Sequence, residues 1–206
     1  MRKKIGVLVS GRGSNLQSLL DHIASGELPV EVSIVISDHR EALALDRAAK
    51  AGIPALVVER KNCRDKTEFE SKMDEALRNA GVELVVLAGF MRILSVFFIR
   101  RWEHKIINIH PALLPSFTGL DAQGQAVEYG VKISGCTVHF VDEGTDTGPI
   151  ILQRTVPVLE DDTEESLAAR ILEQEHKALP EAVRLWAEGK LSVNGRHVRI
   201  AGLKNG

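Results

Sequence analysis

Two periods alternate along the chain. Short apolar runs rich in β-branched residues, "KIGVLVS" at 4–10, "VEVSIVIS" at 30–37, "ALVVE" at 55–59, "ELVVLAG" at 83–89, "KIINIH" at 105–110, "GCTVHFVD" at 135–142 and "PIILQRTVPV" at 149–158, read as strands. Between them lie stretches of helical period. Ser14 to Ser25 sets Leu16, Leu19, Leu20 and Ile23 on one face, and Glu41 to Ala51 does the same with Leu45, Ala48 and Ala49 before Gly52 stops it. Lys66 to Ala80 and Thr163 to Glu188 read as further helices, the last kinked or divided by Pro180. Strand and helix in alternation predict an α/β fold, a Rossmann-like, open, mostly parallel seven-stranded sheet with helices on both faces. The pattern predicts a single domain over 1–190, with 191–206 as a tail or hairpin around an Asn-Gly turn.

Composition narrows the partners. At 206 residues, 44% apolar and 26% charged, the chain fits one soluble domain with a large core. A formal charge of −2 gives no global attraction for nucleic acid or an anionic membrane, so a phosphate-bearing partner should be small. Cys63 and Cys136 are far apart and outside any CxxC spacing, which fits a reducing cytoplasm and gives no cysteine zinc site. The apolar run after "MRKK" is too short for a signal-peptide core, and no later segment approaches the roughly 18 apolar residues of a membrane helix.

"SGRGSN" at 10–15 follows a strand and opens a helix. Free N–H groups and the positive end of the helix dipole make such a turn an anion site, with Gly13 allowing close approach, Ser14 available as a cap and Asn15 as a side-chain donor. The loop lacks the third glycine of G-x-G-x-x-G and the G-K-[ST] of a P-loop, so a single phosphate suits it better than a dinucleotide. The plainer alternative is a tight turn and nothing more. Asp38 could imitate the ribose-binding acid of a dinucleotide site, but within "SDHR" a plain loop carboxylate is the better reading.

The run at 105–110 carries two polar residues and is stopped by Pro111. Asn108 and His110, two apart in a strand, share one face, and at the carboxyl end of a parallel strand they look into the crevice where α/β sheets bind ligands. An amide that can steady an oxyanion beside an imidazole that can move a proton suits attack on an acyl carbon. The alternative is a pair that only bonds loop backbone. Asp146 in "DEGTDTGP" could approach His110 and steady its protonated form. With no plausible Ser or Cys nucleophile nearby, the attacking group should belong to the substrate. The seven histidines lack HxxxH or HExxH spacing, so no metal is expected.

Taken together, "GSN" after the first strand, "LAGFMRIL" at 87–94, "NIHPALLPSF" at 108–117, "GCTVHFVDEGTDTGPII" at 135–151 and "QEH" at 174–176 resemble the phosphoribosylglycinamide formyltransferases, over roughly residues 4–190. The Asn-x-His-Pro and later Asp motifs alone mark the wider group of folate-dependent formyltransferases. The resemblance implies transfer of a formyl group from 10-formyltetrahydrofolate to the amine of glycinamide ribonucleotide, in purine biosynthesis, without a metal. By motif, Asn108, His110 and Asp146 form the catalytic set, while Gly13, Ser14 and Asn15 hold the ribonucleotide phosphate and Glu175 its ribose. Met91, Arg92, Ile93, Leu94 and Asn108, with the backbone of 142–146, line the folate pocket, and Lys66 stands near it.

Each implied role has a plainer rival. The "FMRIL" stretch could be an ordinary helix start, and Glu175 a solvated helix carboxylate. Thr118 stands where the family commonly has Pro, and Gly124 where it has a basic residue, which puts the rigidity of that loop and one charge contact in question. A formyltetrahydrofolate hydrolase or a tRNA formyltransferase keeps the chemistry and changes the acceptor. A nucleotide-binding module without catalysis leaves Asn108, His110 and Asp146 unexplained. A cytoplasmic monomer or homodimer acting on small molecules is expected, with neither nucleic acid nor membrane as a partner.

Overall fold

Strand β1 (Lys3–Val9) is apolar from Ile5 onward and fully buried there, as a strand covered on both faces must be. It pairs in parallel with β2 (Val30–Ser37) on one side and β4 (Leu84–Leu87) on the other, and β3 (Ala55–Val57) extends β2, giving the order β3-β2-β1-β4. Helices α1 (Ser14–Ala24), α2 (Leu43–Lys50) and α3 (Lys66–Asn79) fill the crossovers, α2 and α3 each packing against β2. Their buried faces carry Leu16, Leu19, Ala48, Phe69, Met73 and Leu77. Apart from Ala48, each of these side chains contributes on the order of 2 kcal/mol by leaving water.

The computed structural model describes residues 2–202 of the chain. They divide into two compact units, the boundary falling between Ile107 and Asn108 inside β5 (Ile106–His110). In the first unit, β4 ends at Leu87 rather than running to residue 89, because Gly89 (φ 74) turns the chain, and a short helix α4 (Val96–Arg101), capped by Ser95, precedes β5.

In the second unit α5 (Ala122–Tyr129) lies between β5 and the antiparallel pair β6 (Ile133–Phe140) and β7 (Ile150–Pro157). The long helix α6 (Glu164–Ala187) packs on β6 and β7. Thr163 caps it, trading hydrogen bonds with Ser166 in a capping box. Of the expected kink or division, the division does not occur: α6 runs on through Pro180. That residue is itself buried, and buried side chains on either side, Ile171 and Leu179 before it and Val183 after it, keep the helix on one apolar face. Nine strands are present among the described residues instead of seven, the added two being a hairpin of β8 (Leu191–Asn194) and β9 (His197–Ile200). Strand β9 touches β7 in parallel at Ile150 and His197. Residues 203–206 of the expected tail lie outside the described residues.

Candidate functional site

Strand β5 ends where its sequence turns polar. His110, 4% exposed, is held at both ring nitrogens: Nε2 lies 2.7 Å from the Phe117 carbonyl and Nδ1 lies 3.4 Å from Oδ2 of Asp146. A carbonyl oxygen only accepts, so Nε2 carries the hydrogen and the other nitrogen faces the carboxylate. Asp146 Oδ2 also accepts from the Gly119 amide at 2.8 Å. Phe117 (φ 52) and Asp146 (φ 54) both sit in the left-handed region that side chains rarely adopt. Such backbone conformations persist only where surroundings over-determine them, and here the two loops hold each other through His110.

A histidine that the sequence motifs left unassigned completes the cluster. His139, on β6 and 2% exposed, places Nδ1 2.9 Å from the Phe140 carbonyl and Nε2 3.3 Å from Asn108 Nδ2. The Phe140 carbonyl fixes the hydrogen on Nδ1, which leaves Nε2 as an acceptor for an N–H of Asn108. Burial pushes the His139 pKa down and outweighs the nearby Asp146 carboxylate. The 3.8 Å approach of His139 Nε2 to Asp146 Oδ1 is therefore no ion pair. A neutral His139 aims the Asn108 amide by occupying one of its two hydrogens.

The surrounding backbone is tied down as well. The Thr137 hydroxyl donates to the Ala112 carbonyl at 2.6 Å and accepts from the Leu114 amide at 3.0 Å and Gln153 Nε2 at 3.1 Å, which uses all three of its hydrogen-bonding positions. Asp142 Oδ1 accepts from the Gly144 amide at 3.1 Å and the Thr147 hydroxyl at 2.6 Å, closing the turn that carries Asp146. Only glycine fits at 148, since a Cβ there falls 1.7 Å from the Phe140 carbonyl oxygen.

Within the first unit, helix α1 starts at Ser14 with Gly13 as its N-cap residue, so Ser14 is not the cap and the helix start has no side-chain cap hydrogen bond. Gly13 has φ 71, and a Cβ on it meets Ala44 Cβ at 2.6 Å, so glycine is required there by helix packing as well as by backbone angle. The segment after β4 is irregular, with Phe90 and Leu94 buried and Met91 and Ile93 63% and 74% exposed. The Ser10 amide donates to the Gly89 carbonyl at 3.0 Å, the Met91 amide to Ser10 Oγ at 2.8 Å, and the Ser95 amide to Glu70 Oε1 at 2.6 Å. Arg92 Nε donates to Asp38 Oδ2 at 2.6 Å. Asp38 is accordingly no plain loop carboxylate, since its side chain is fully buried.

The remaining expected residues fall as follows. Lys66 opens α3 with its Nζ 4.0 Å from Glu70, the buried carboxylate that also takes both the amide and the hydroxyl of Ser95. Glu175 is 7% exposed on α6, and its charge, after burial, is the next cause that pushes the Cys136 thiol up to about 12. A solvated helix carboxylate is thereby excluded. Thr118 offers its carbonyl to Gln125 Nε2 at 3.5 Å, and the Gly124 amide donates to the Asp121 carboxylate that caps α5.

A formyl transferase family model matches residues 3–183. The trifunctional purine biosynthetic protein adenosine-3 of Drosophila pseudoobscura pseudoobscura is 51% identical over 192 residues; the match takes in 92% of this chain and only 14% of that much longer protein. The phosphoribosylglycinamide formyltransferase of Haemophilus influenzae is 43% identical over 189 residues, covering 92% of this chain and 89% of its own. Among solved structures, glycinamide ribonucleotide transformylase 1 from Symbiobacterium toebii superposes with a TM-score of 0.95 at 51% identity, covering 97% of this chain and 94% of the other.

Proposed function

Because the chain belongs to the phosphoribosylglycinamide formyltransferases, enzymes of purine biosynthesis, we propose that it moves the formyl group of 10-formyltetrahydrofolate onto the primary amine of glycinamide ribonucleotide, releasing tetrahydrofolate. The observation that carries the mechanism is the surroundings of His110. Its ring nitrogens face a backbone carbonyl and a carboxylate, not a serine or cysteine, so the constellation for a covalent acyl-enzyme is not built and the substrate amine is the nucleophile.

The amine lone pair attacks the formyl carbon, and the carbonyl electrons move onto oxygen. Asn108, aimed by His139, supplies an N–H to that oxyanion. His110 reaches it with Nε2–H only by releasing the Phe117 carbonyl, while Asp146 stays at Nδ1 and balances the positive charge of the imidazolium. Collapse breaks the bond to the folate nitrogen, which takes up a proton as the former amine loses one. His110 and Asp146 are the groups placed to relay it.

In the same reading Gly13, Ser14 and Asn15 bind the ribonucleotide phosphate, supported by a helix start that no side chain caps. Glu175 takes the ribose hydroxyls, supported by its burial on α6. Met91, Arg92, Ile93, Leu94 and Lys66 are assigned to the folate, as is Asn108 of the second unit; two exposed apolar side chains on a firmly held segment suit a flat heterocycle. Residues 1–190 act as one formyltransferase domain with 191–206 appended. The reading includes a cytoplasmic monomer or homodimer with small-molecule substrates and without nucleic acid or membrane partners.

Absorbance of released tetrahydrofolate tests the acceptor. Release from 10-formyltetrahydrofolate is expected only when glycinamide ribonucleotide is present. Equal release with water alone identifies a hydrolase, and release that requires methionyl-tRNA identifies a tRNA formyltransferase.

A further inference from the structure

Asp38 has no role in the chemistry above, yet it is the most completely buried carboxylate in the first unit, with its side chain 0% exposed at the end of β2. Its Oδ2 receives Arg92 Nε at 2.6 Å, across 54 residues of sequence, while its Oδ1 is buried without a donor. The adjoining His39 places its Nε2 3.5 Å from the same oxygen, Oδ2, on a side chain 55% exposed. A buried ion pair adds little stability over a well-packed apolar pair, so an aspartate kept here with an idle oxygen calls for a different account. The asymmetry of the pair supplies it. The carboxylate stands on a buried strand end, whereas Arg92 is 40% exposed on a segment with no helix or strand of its own.

We infer that Asp38 is a positioning residue for the formyl donor: it fixes Arg92 and, through it, the 91–94 segment in the shape that receives the folate. This rests on the assignment of residues 91–94 to the folate site. Of the tethers on this segment, Ser10 holds the backbone before Arg92 and Glu70 the backbone after Leu94. Asp38 alone holds a side chain between the two exposed apolar residues, Met91 and Ile93. A fixed guanidinium between two apolar contacts presents one defined surface, and a freely rotating one loses that definition on every binding event.

The test is steady-state kinetics of Asp38→Asn, Arg92→Ala and the double variant, with each substrate varied in turn. Asp38→Asn should raise KM for 10-formyltetrahydrofolate roughly tenfold, the scale of one charge-assisted hydrogen bond, with kcat and the KM for glycinamide ribonucleotide within about twofold of the parent. In the Arg92→Ala background the same change should raise the donor KM no further, because the two side chains act as one unit. A general folding defect predicts the opposite, additive losses that reach both substrates and kcat, and that result overturns the proposal. So does an unchanged donor KM in Asp38→Asn beside a raised one in Arg92→Ala, which leaves the folate assignment standing. An unchanged donor KM in Arg92→Ala, with Leu94→Ala also silent, overturns the folate assignment itself. Asp38→Glu, which keeps the charge and displaces it by one methylene, is read by the same criteria if Asp38→Asn does not fold.

Discussion

The two functional regions are built in opposite ways. Around residues 108–146 the proposed mechanism gives the chemistry to side chains, and the backbone holds them: the carbonyls of Phe117 and Phe140 set the hydrogens of His110 and His139, and the Gly119 amide fixes Asp146. Around residues 89–95, assigned to the folate in the same reading, the backbone is on offer and side chains hold it: Ser10 takes the Met91 amide and Glu70 the Ser95 amide, while Asp38 holds the Arg92 side chain between them. Reacting groups need a defined tautomer and direction, which rigid carbonyls enforce. A surface for phosphate or a flat heterocycle needs a defined chain path, which side-chain clamps enforce. Changes in the first region should therefore fall on kcat and changes in the second on KM.

The largest effects belong to the first region. Asp146→Asn keeps the shape of the side chain and removes its charge, and His110→Ala removes the ring. Each should lower kcat roughly a thousandfold, within the range of a lost acid–base group, with both KM values within a few fold. Near-normal turnover in either variant breaks the role given to that residue. His139→Phe retains a ring of similar bulk and deletes the acceptor for Asn108. A loss of about tenfold to a hundredfold in kcat is expected, the scale of one buried polar group left unpaired. If only KM moves, His139 does not aim Asn108.

That difference in construction also explains what could be read from the sequence. Asn108 and His110 were legible because strand period alone puts them on one face at a strand end, and Asp146 because a polar loop between two strands brings a carboxylate. His139 was not, because nothing local to "TVHFV" announces a partner 31 residues earlier on another strand. Asp38 was misjudged for the same reason, its loop context being visible and Arg92, 54 residues away, not. Helix α4 escapes because six residues give too few turns for a period to emerge, and α5 because it buries only Ala122 and Ala126 and carries Gly124, so no apolar stripe marks it. At Pro180 local propensity allows a division that the packed face of α6 prevents.

A smaller effect tests the second region. Ser10→Ala removes the hydroxyl that accepts the Met91 amide at 2.8 Å and leaves the Ser10 amide on Gly89 intact. One ordinary hydrogen bond is worth about 1 kcal/mol, so the donor KM should rise roughly two- to tenfold with kcat unchanged. A fall in kcat without a change in KM places Ser10 on the chemical side and removes the division between the regions.

The smallest expected effect concerns stability and reports on His139 alone. Burial depresses its pKa in the folded protein, so between that value and the ordinary value of about 6.5 the unfolded chain binds a proton that the folded chain refuses. The stabilisation by a neutral His139 is then fully present above about pH 6.5 and is lost as the pH falls through the folded value. Carboxylates with depressed values act in a separate window, as with Glu68, held at about 2 against its ordinary 4.5 by hydrogen bonds from the Arg64 amide and Lys72. Melting temperatures between pH 7 and pH 5 should decline in the parent and decline less in His139→Gln. Parallel curves would show that His139 protonates freely when folded, and the neutral acceptor that aims Asn108 would go with it.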